Sequence, residues 1–334
     1  MTATEPSVSL TGRAPARPVG LRPRRVPGRA ARTRRKWYEI LILTGPALIV
    51  FTVFVLAPIG FAVYYSLYRW HGYGWPTEFI GLNNYFGRLG AFRDPIFQDA
   101  LKNNAIVIVG SLLIQGPLAL GIALLLNRRF RGRAIFRLLV FVPYVLAEVT
   151  VGIAWQLILQ PDSTADSLLR SIGLGGLVTG WLANLNVVIW TILFVLTWKY
   201  TGFALILFLA GLSNIPDELT EAAAIDGASW WQIQRHITIP LLGPTIRIWM
   251  FLSMIGSLQL FDIPWVTSQA AIRSLGASNT MATYMVDQGL NEQFWGYGNA
   301  VAVILFAISF VAALLFQRFV LRRDIQGAVT TRRA

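Results

Sequence analysis

Long apolar runs alternate with short polar segments along this chain, and there are six such runs. They lie at residues 39–67, 104–126, 136–158, 187–211, 246–266 and 298–319. Each has about 20 residues or more, the length that a helix needs to cross the hydrocarbon core of a bilayer. A helix also satisfies its own backbone N–H and C=O groups in lipid, whereas an open sheet edge does not. The pattern therefore predicts an all-α integral membrane protein with six transmembrane helices.

The composition agrees with a place in the membrane and excludes several kinds of chemistry. Of the 334 residues, 55% are hydrophobic and 13% are charged, against roughly 25% charged residues in soluble domains. The absence of cysteine excludes disulfides, thiolate nucleophiles and cysteine-ligated zinc. The two histidines, His71 and His236, lie in different segments, and no HExxH motif occurs, which argues against an intramembrane enzyme. We therefore expect no catalytic residues, and no metal or cofactor bound by this chain.

Positive charge is distributed unevenly between the two sides that six spans would create. One side holds 22 Lys and Arg residues: those of the N-terminus, of the loop 127–137, in or beside the loop 212–245, and of the C-terminus. The loops on the opposite side hold six. Because an excess of Lys and Arg marks the cytoplasmic side, we expect a multi-pass protein of the plasma membrane with both termini in the cytoplasm.

The ends of the chain differ in composition from the apolar part. Ten Lys or Arg residues and several prolines fall within the first 36 residues, so we predict a disordered basic cytoplasmic tail over 1–37. We expect this tail to touch anionic membrane lipids and not nucleic acid, since no aromatic residues are interleaved with its arginines. Residues 38–323 form the predicted six-helix transmembrane domain, and 324–334 a second cytoplasmic tail.

The loop 212–245, between the fourth and fifth runs, is predicted to form two short helices on the cytoplasmic face. Pro216 and the acids after it indicate a helix start. Gly227 is a natural left-handed terminator, and Ser229 with Gln232 forms a capping-box pattern for the second helix, which we expect Pro240 to end. From these features alone, a partnerless amphipathic hairpin and a docking element are equally consistent.

The stretch EAAAIDGASWWQIQRHITIP, residues 221–240, resembles the EAA loop of permease subunits of ATP-binding-cassette (ABC) importers. That loop is written E-A-A, then G after three residues, then I-x-L-P. Six residues stand at matching positions: Glu221, Ala222, Ala223, Gly227, Ile237 and Pro240. The resemblance covers roughly residues 38–323 and points to the carbohydrate subgroup through further segments: EFIGLNNY (78–85), DPIFQDALKNN (94–104), FDIPWVTS (261–268) and FWGYGNAVAV (294–303).

The resemblance implies the transmembrane domain of a type I ABC importer, with the loop as a coupling helix that docks on an ATPase subunit. The implied coupling residues are the six matched ones and Asp226. The implied partners are a second permease subunit, two ATPase subunits that carry ATP and Mg²⁺, and an extracytoplasmic solute-binding protein that delivers a carbohydrate. The sequence itself has no G-x-x-x-x-G-K-[ST] phosphate loop. A polyol or glycerol-phosphate cargo stays open, as does a self-sufficient secondary transporter or channel.

Charged residues within the apolar runs are candidates for the transport path, because a charge near the bilayer centre has to face protein or water. Glu39 fits an interfacial position. Glu148 could line the path, pair with Lys199, or pair with the partner permease, and an ion pair is the simplest role for Lys199. A sugar cavity needs hydrogen-bonding groups beside aromatic rings. Residues of both types, with Glu148 and Lys199, form our predicted path: Gln259, Phe261, Asp262, Trp155, Glu148 and Lys199. Trp265 could equally belong to an aromatic belt at the membrane surface.

Overall fold

The computed structural model describes residues 42–128, 130–268, 272–273 and 275–321. The chain divides into two compact units, Met1–Ala57 and Pro58–Ala334. The described part of the first unit is helical, and its apolar side chains are exposed. The predicted tails 1–37 and 324–334, and Glu39, lie outside the described residues.

Helices make up most of the described chain. Four of them are long and apolar enough to cross a membrane: α1 (Ile42–Tyr65), α3 (Pro95–Asn127), α7 (Val188–Leu212) and α13 (Trp295–Val320). Two bent pairs could each form one further span: α4 (Arg133–Val145) with α5 (Glu148–Leu159), and α9 (Trp230–Leu241) with α10 (Gly243–Leu258). The shorter helices are α2 (Asn83–Phe86), α6 (Thr164–Ser171), α8 (Asp217–Ile225), α11 (Asp262–Thr267) and α12 (Met281–Val286). The strands β1 (Tyr68–Arg69) and β2 (Glu78–Phe79) pair antiparallel.

The third predicted span, 136–158, is wrong as a single helix. The chain breaks between α4 and α5, which meet at 97°. Leu146 and Ala147 both adopt ψ of 140°, so neither can continue the helix. Glu148, expected in mid-span, is instead the first residue of α5, where a carboxylate faces the positive end of the helix dipole.

The fifth predicted span, 246–266, is also placed wrongly. Helix α10 ends at Leu258, and the apolar residues beyond it enter the separate helix α11. The amide of Asn104, on α3, donates to the carbonyls of Ser257 (2.6 Å) and Leu258 (3.2 Å). These carbonyls belong to the last turn of α10, which leaves its C=O groups without helical partners. A side chain distant in sequence therefore stabilises the end of α10.

Helix α7 is the centre of the packing. It contacts α3 and α4 along its length, and small residues permit the close approach. A Cβ atom on Gly202 would lie 2.6 Å from the backbone oxygen of Val140 on α4. Farther along α7, Phe208 and Leu212 pack with Ala119 and Trp249 in a buried apolar cluster. The helix is thus enclosed by protein over much of its surface.

Candidate functional site

The polar loop folds into a hairpin of two helices, α8 and α9, called the coupling hairpin from here on. Its turn follows the local signals of the sequence. Gly227 adopts φ of +84°, and the N–H of Ala228 reaches the carbonyl of Ala223 at 2.9 Å. Ser229 and Gln232 exchange both hydrogen bonds of a capping box. The predicted terminator and the predicted cap are confirmed.

Pro240 does not end the second helix, which corrects our prediction. Helix α9 passes through a π turn over Gln234–Thr238 and continues to Leu241. In this turn the N–H of Ile239 bonds to the carbonyl of Gln234, five residues back. Pro240 therefore occupies the first turn after a shift in hydrogen-bond register, where its missing N–H is tolerated. The chain then bends by 66° into α10.

One face of the coupling hairpin holds it to the rest of its unit. Ile233 and Thr238 are buried, and the Arg128 guanidinium lies 4.5 Å from the centroid of the Trp230 ring. A cavity of about 280 Å³ lies beside these residues, between the C-terminal ends of α3 and α7 and the hairpin. The cation–π contact and the buried apolar residues fix the direction in which the hairpin projects.

The other face of the coupling hairpin is exposed. Five of the seven predicted coupling residues are exposed: Glu221, Ala222, Asp226, Gly227 and Pro240. The other two, Ala223 and Ile237, are half-buried. Two large apolar side chains that our sequence reasoning missed are exposed beside them, Ile225 at 86% and Trp231 at 59%. The signal for Ile225 was available in the sequence, as a lone β-branched apolar residue between an alanine run and Asp226. Apolar side chains this exposed beside charges are suited to a protein partner.

Two of the three charged residues predicted on the path, Glu148 and Lys199, lie together at the break between α4 and α5, but they do not form the simple pair we considered. Lys199 is 2% exposed, and its Nζ donates to the carbonyl oxygens of Leu146 (2.6 Å) and Tyr144 (3.4 Å). These carbonyls lie at the C-terminal end of α4, where a cation is favoured. Glu148 instead accepts a hydrogen bond from the Tyr200 hydroxyl. Tyr200, which we missed, thus holds the acid next to the cation.

The remaining predicted path residues are divided between two places. Gln259 is exposed at the end of α10, and Asp262 begins α11, which packs against α5 and α7. The rings of Phe261 and Trp265 stack with centroids 5.2 Å apart. Trp155, on α5, makes edge-to-face contacts with two aromatic rings of α7.

Arg273 holds Trp265 of the Phe261–Trp265 pair in place. Its guanidinium lies 4.2 Å from the centroid of the Trp265 ring and donates to the carbonyl of Ser268 at 2.6 Å. An ion pair with Asp287, at 3.3 Å, completes its contacts. Trp265 is therefore fixed by protein groups.

A cavity of about 160 Å³ opens between α3, α7 and α10. Its polar wall is made by Gln115, Tyr144, Tyr200, Ser253 and Ser257, and its apolar wall includes Phe203 and Trp249. None of the six predicted path residues lines this cavity. In the sequence, Gln115 could have been recognised as a functional candidate because it is a single amide in the middle of the apolar run 104–126. Hydroxyl and amide groups facing aromatic rings are the combination that a neutral polyhydroxylated molecule would need.

At the opposite end of α3, polar side chains join the segment before α3 to α12 and α13. Asp94 caps α3 by accepting from the N–H of Ile96 (2.9 Å), and it also accepts from the hydroxyls of Tyr284 and Tyr297. Tyr284 lies outside the membrane-spanning segments, and burial and the Asp94 carboxylate raise its pKa above the ordinary value. The hydroxyl therefore stays protonated and remains a donor to Asp94.

Comparison with known proteins agrees with this arrangement. Residues 115–324 match the family described as "binding-protein-dependent transport system inner membrane component". A probable ABC transporter permease protein of Pyrococcus horikoshii is 34% identical and aligns over 83% of this chain and 93% of its own length. The diacetylchitobiose uptake system permease NgcF of Streptomyces coelicolor is 31% identical, covering 83% and 80%. The lactose transport system permease LacF of Rhizobium radiobacter is 31% identical, covering 87% and 96%.

The fold has a counterpart among solved structures. A chain of a bacterial ABC transporter that imports the acidic polysaccharide alginate superposes with a TM-score of 0.74 at 24% identity. The match covers 88% of this chain and 98% of the other. At this identity the likeness shows a shared fold.

Proposed function

Because the chain belongs to the family of binding-protein-dependent transport system inner membrane components, we propose that it passes a carbohydrate through the membrane as a permease subunit of an ATP-driven importer. An extracytoplasmic solute-binding protein delivers the cargo. The family and the related diacetylchitobiose and lactose permeases support this assignment. The cavity between α3, α7 and α10, with hydroxyls and amides facing aromatic rings, suits the chemistry of a sugar.

Separate ATPase subunits supply the energy and carry ATP and Mg²⁺. The single observation that carries this proposal is the coupling hairpin: a rigidly capped polar hairpin with Ile225 86% exposed. Apolar anchors surrounded by charge are typical of the centre of a protein interface. The carboxylates of Glu221 and Asp226 lie on the same exposed segment and are available to cationic side chains of the ATPase. Closure of two ATPase subunits would move two such hairpins, one from each permease of a heterodimer.

The charge distribution supports a cytoplasmic position for the hairpin and for both termini. The hairpin follows α7, on the same predicted side as the arginine-rich loop 127–137. Arg128, from that loop, contacts Trp230 of the hairpin in the structure. The path would run past the Glu148–Tyr200–Lys199 group and the α3–α7–α10 cavity, with Gln259, Phe261, Asp262 and Trp155 at its outer part.

The test compares Ile225→Asp and Glu221→Lys with Leu168→Asp in the complete transporter. Leu168 is a matched control because it lies on α6, away from the hairpin, and is 61% exposed. We expect both hairpin variants to insert in the membrane at normal levels but to lose co-purification of the ATPase subunits and ATP-driven sugar uptake. Leu168→Asp should retain both. Normal ATPase recovery with Ile225→Asp and Glu221→Lys would overturn the coupling assignment.

A further inference from the structure

A third and larger cavity, of about 700 Å³, lies far from the coupling hairpin. It is enclosed by the segment between α1 and α3 and by the junction of α12 and α13, and it is called the outer cavity below. Asp94, at the start of α3, belongs to its lining, whereas Arg128 follows the end of α3 beside the hairpin. A helix of 33 residues is about 50 Å long, so the two sites are at opposite ends of the protein.

The wall of the outer cavity carries more positive than negative charge. Arg69, Arg88 and Arg93 line it. Arg69 pairs with Glu78 at 2.5 Å. The guanidinium groups of Arg88 and Arg93 have no hydrogen-bond or ion-pair partner within the described part of the chain. Both arginines are exposed and line the same cavity, so an anion bound there could accept hydrogen bonds from either guanidinium group.

The one carboxylate in the lining, Asp94, offsets part of the charge of the three arginines but forms no ion pair with them among the described contacts. One of its oxygens accepts from the N–H of Ile96, and the other accepts from the hydroxyls of Tyr284 and Tyr297. Its hydrogen-bonding capacity is therefore directed into the protein. The positive wall stays available to a ligand.

Neutral groups in the same lining complement a sugar. The side-chain amides of Asn83 and Gln288 line the cavity and have no hydrogen-bond partner among the described residues. Aromatic surface is supplied by Trp70 and Phe294, and the Phe294 ring packs against His71 at 5.3 Å between centroids. Free amides bind hydroxyl groups, and aromatic faces stack on the apolar faces of sugar rings.

We propose that the outer cavity is a binding site for an acidic oligosaccharide, separate from the translocation path. Arg88 and Arg93 bind its carboxylates, Asn83 and Gln288 bind its hydroxyls, and Trp70 and Phe294 contact its rings. The volume falls within the range of about 300–1,000 Å³ that small-ligand sites have. The proposal does not depend on coupling to ATP, and its test can fail while the proposed function holds.

The experiment measures binding of trigalacturonate to the complete transporter in phosphatidylcholine nanodiscs by calorimetry, without ATP or solute-binding protein. The matched neutral probe is the fully methyl-esterified trisaccharide. We expect trigalacturonate to bind and the ester to bind at least tenfold more weakly. The double variant Arg88→Gln/Arg93→Gln should weaken trigalacturonate binding at least tenfold. Lys102→Gln is the control, because Lys102 is an exposed outer cation that pairs with Asp99 at 2.9 Å and does not line the cavity.

Four results would overturn the proposal. They are no binding of trigalacturonate, equal binding of the ester, unchanged binding by the double variant, and an equal loss in Lys102→Gln, which would indicate bulk charge only. An acidic peptide such as hexa-aspartate that binds more tightly, with the same dependence on Arg88 and Arg93, would assign the cavity to a protein partner. Melting of each variant in detergent, compared with the wild type, separates lost binding from lost folding.

Discussion

Replacement of Gly202 by alanine tests the packing of α7 on α4. This packing places Lys199 beside the carbonyls of Tyr144 and Leu146. Gly202 lies on α7 opposite α4, and an added Cβ would approach two backbone atoms: the oxygen of Val140 at 2.6 Å and the Cα of Phe141 at 3.0 Å. Backbone atoms cannot rotate away as a side chain can. The two helices would therefore have to separate.

The size of the effect follows from these distances. Unstrained C···O contacts are about 3.3 Å or longer, so α4 and α7 must move apart by roughly 0.7 Å. Overpacking of this kind costs about 1–3 kcal/mol. Lys199 lies three residues before Gly202, and its 2.6 Å hydrogen bond to Leu146 joins the same two helices. The displacement would lengthen that bond to about the outer limit of normal hydrogen-bond geometry.

Gly121→Ala is the matched control, because nothing lies within 4 Å of a Cβ built on Gly121 of α3. Alanine in a helix interior gains about 0.5–1 kcal/mol over glycine. We expect Gly202→Ala to lower, and Gly121→Ala to preserve or raise, the temperature at which the complete transporter loses its monodisperse peak in detergent. A Gly202→Ala variant that melts with the wild type would refute the close packing of α4 on α7.

Three further substitutions test single contacts. Asn104→Ala removes the donor to the last turn of α10, so we expect about 2–4 kcal/mol of destabilisation in denaturant titrations. The control is Asn186→Ala, for which we expect no destabilisation because Asn186 is exposed. Gly227 has a left-handed backbone conformation, which costs alanine about 1–2 kcal/mol, so Gly227→Ala should reduce ATP-coupled sugar uptake. Gly227→Asn should retain most of the uptake, because asparagine tolerates this conformation better. Lys199→Met leaves the Leu146 carbonyl unpaired at a cost of about 1–3 kcal/mol, which thermal melting should detect; unchanged melting would contradict the role given to Lys199.

The sequence predicts best where the determining contacts are local. The turn at Gly227 and the Ser229 cap follow from φ preference and side-chain geometry within four residues, and both are present. Long apolar runs likewise predict the four continuous helices, because burial in lipid requires length and composition only. A family motif adds the prediction that the exposed face of the hairpin is functional, and the structure adds Ile225 to that face.

The two misplaced spans show what a hydrophobic run cannot predict. Hydropathy continues through the break after Val145 and past the end of α10, because most of the residues there are apolar in both cases. Lys199 and Asn104 bind carbonyls at helix ends that have no helical partner. Each lies more than 50 residues away in sequence from the carbonyl it binds. The same limit applies to Tyr200 and Gln115, whose importance depends on the group or cavity that the fold places beside them.

The central claim is that this chain transports only when an external ATPase acts on it through the coupling hairpin. The direct measurement is sugar accumulation in proteoliposomes that contain either the complete transporter with binding protein and ATP, or this chain and its partner permease without ATPase subunits. We predict accumulation against a gradient in the first preparation and none in the second under any imposed ion gradient. Uphill accumulation by the permeases alone would contradict the account.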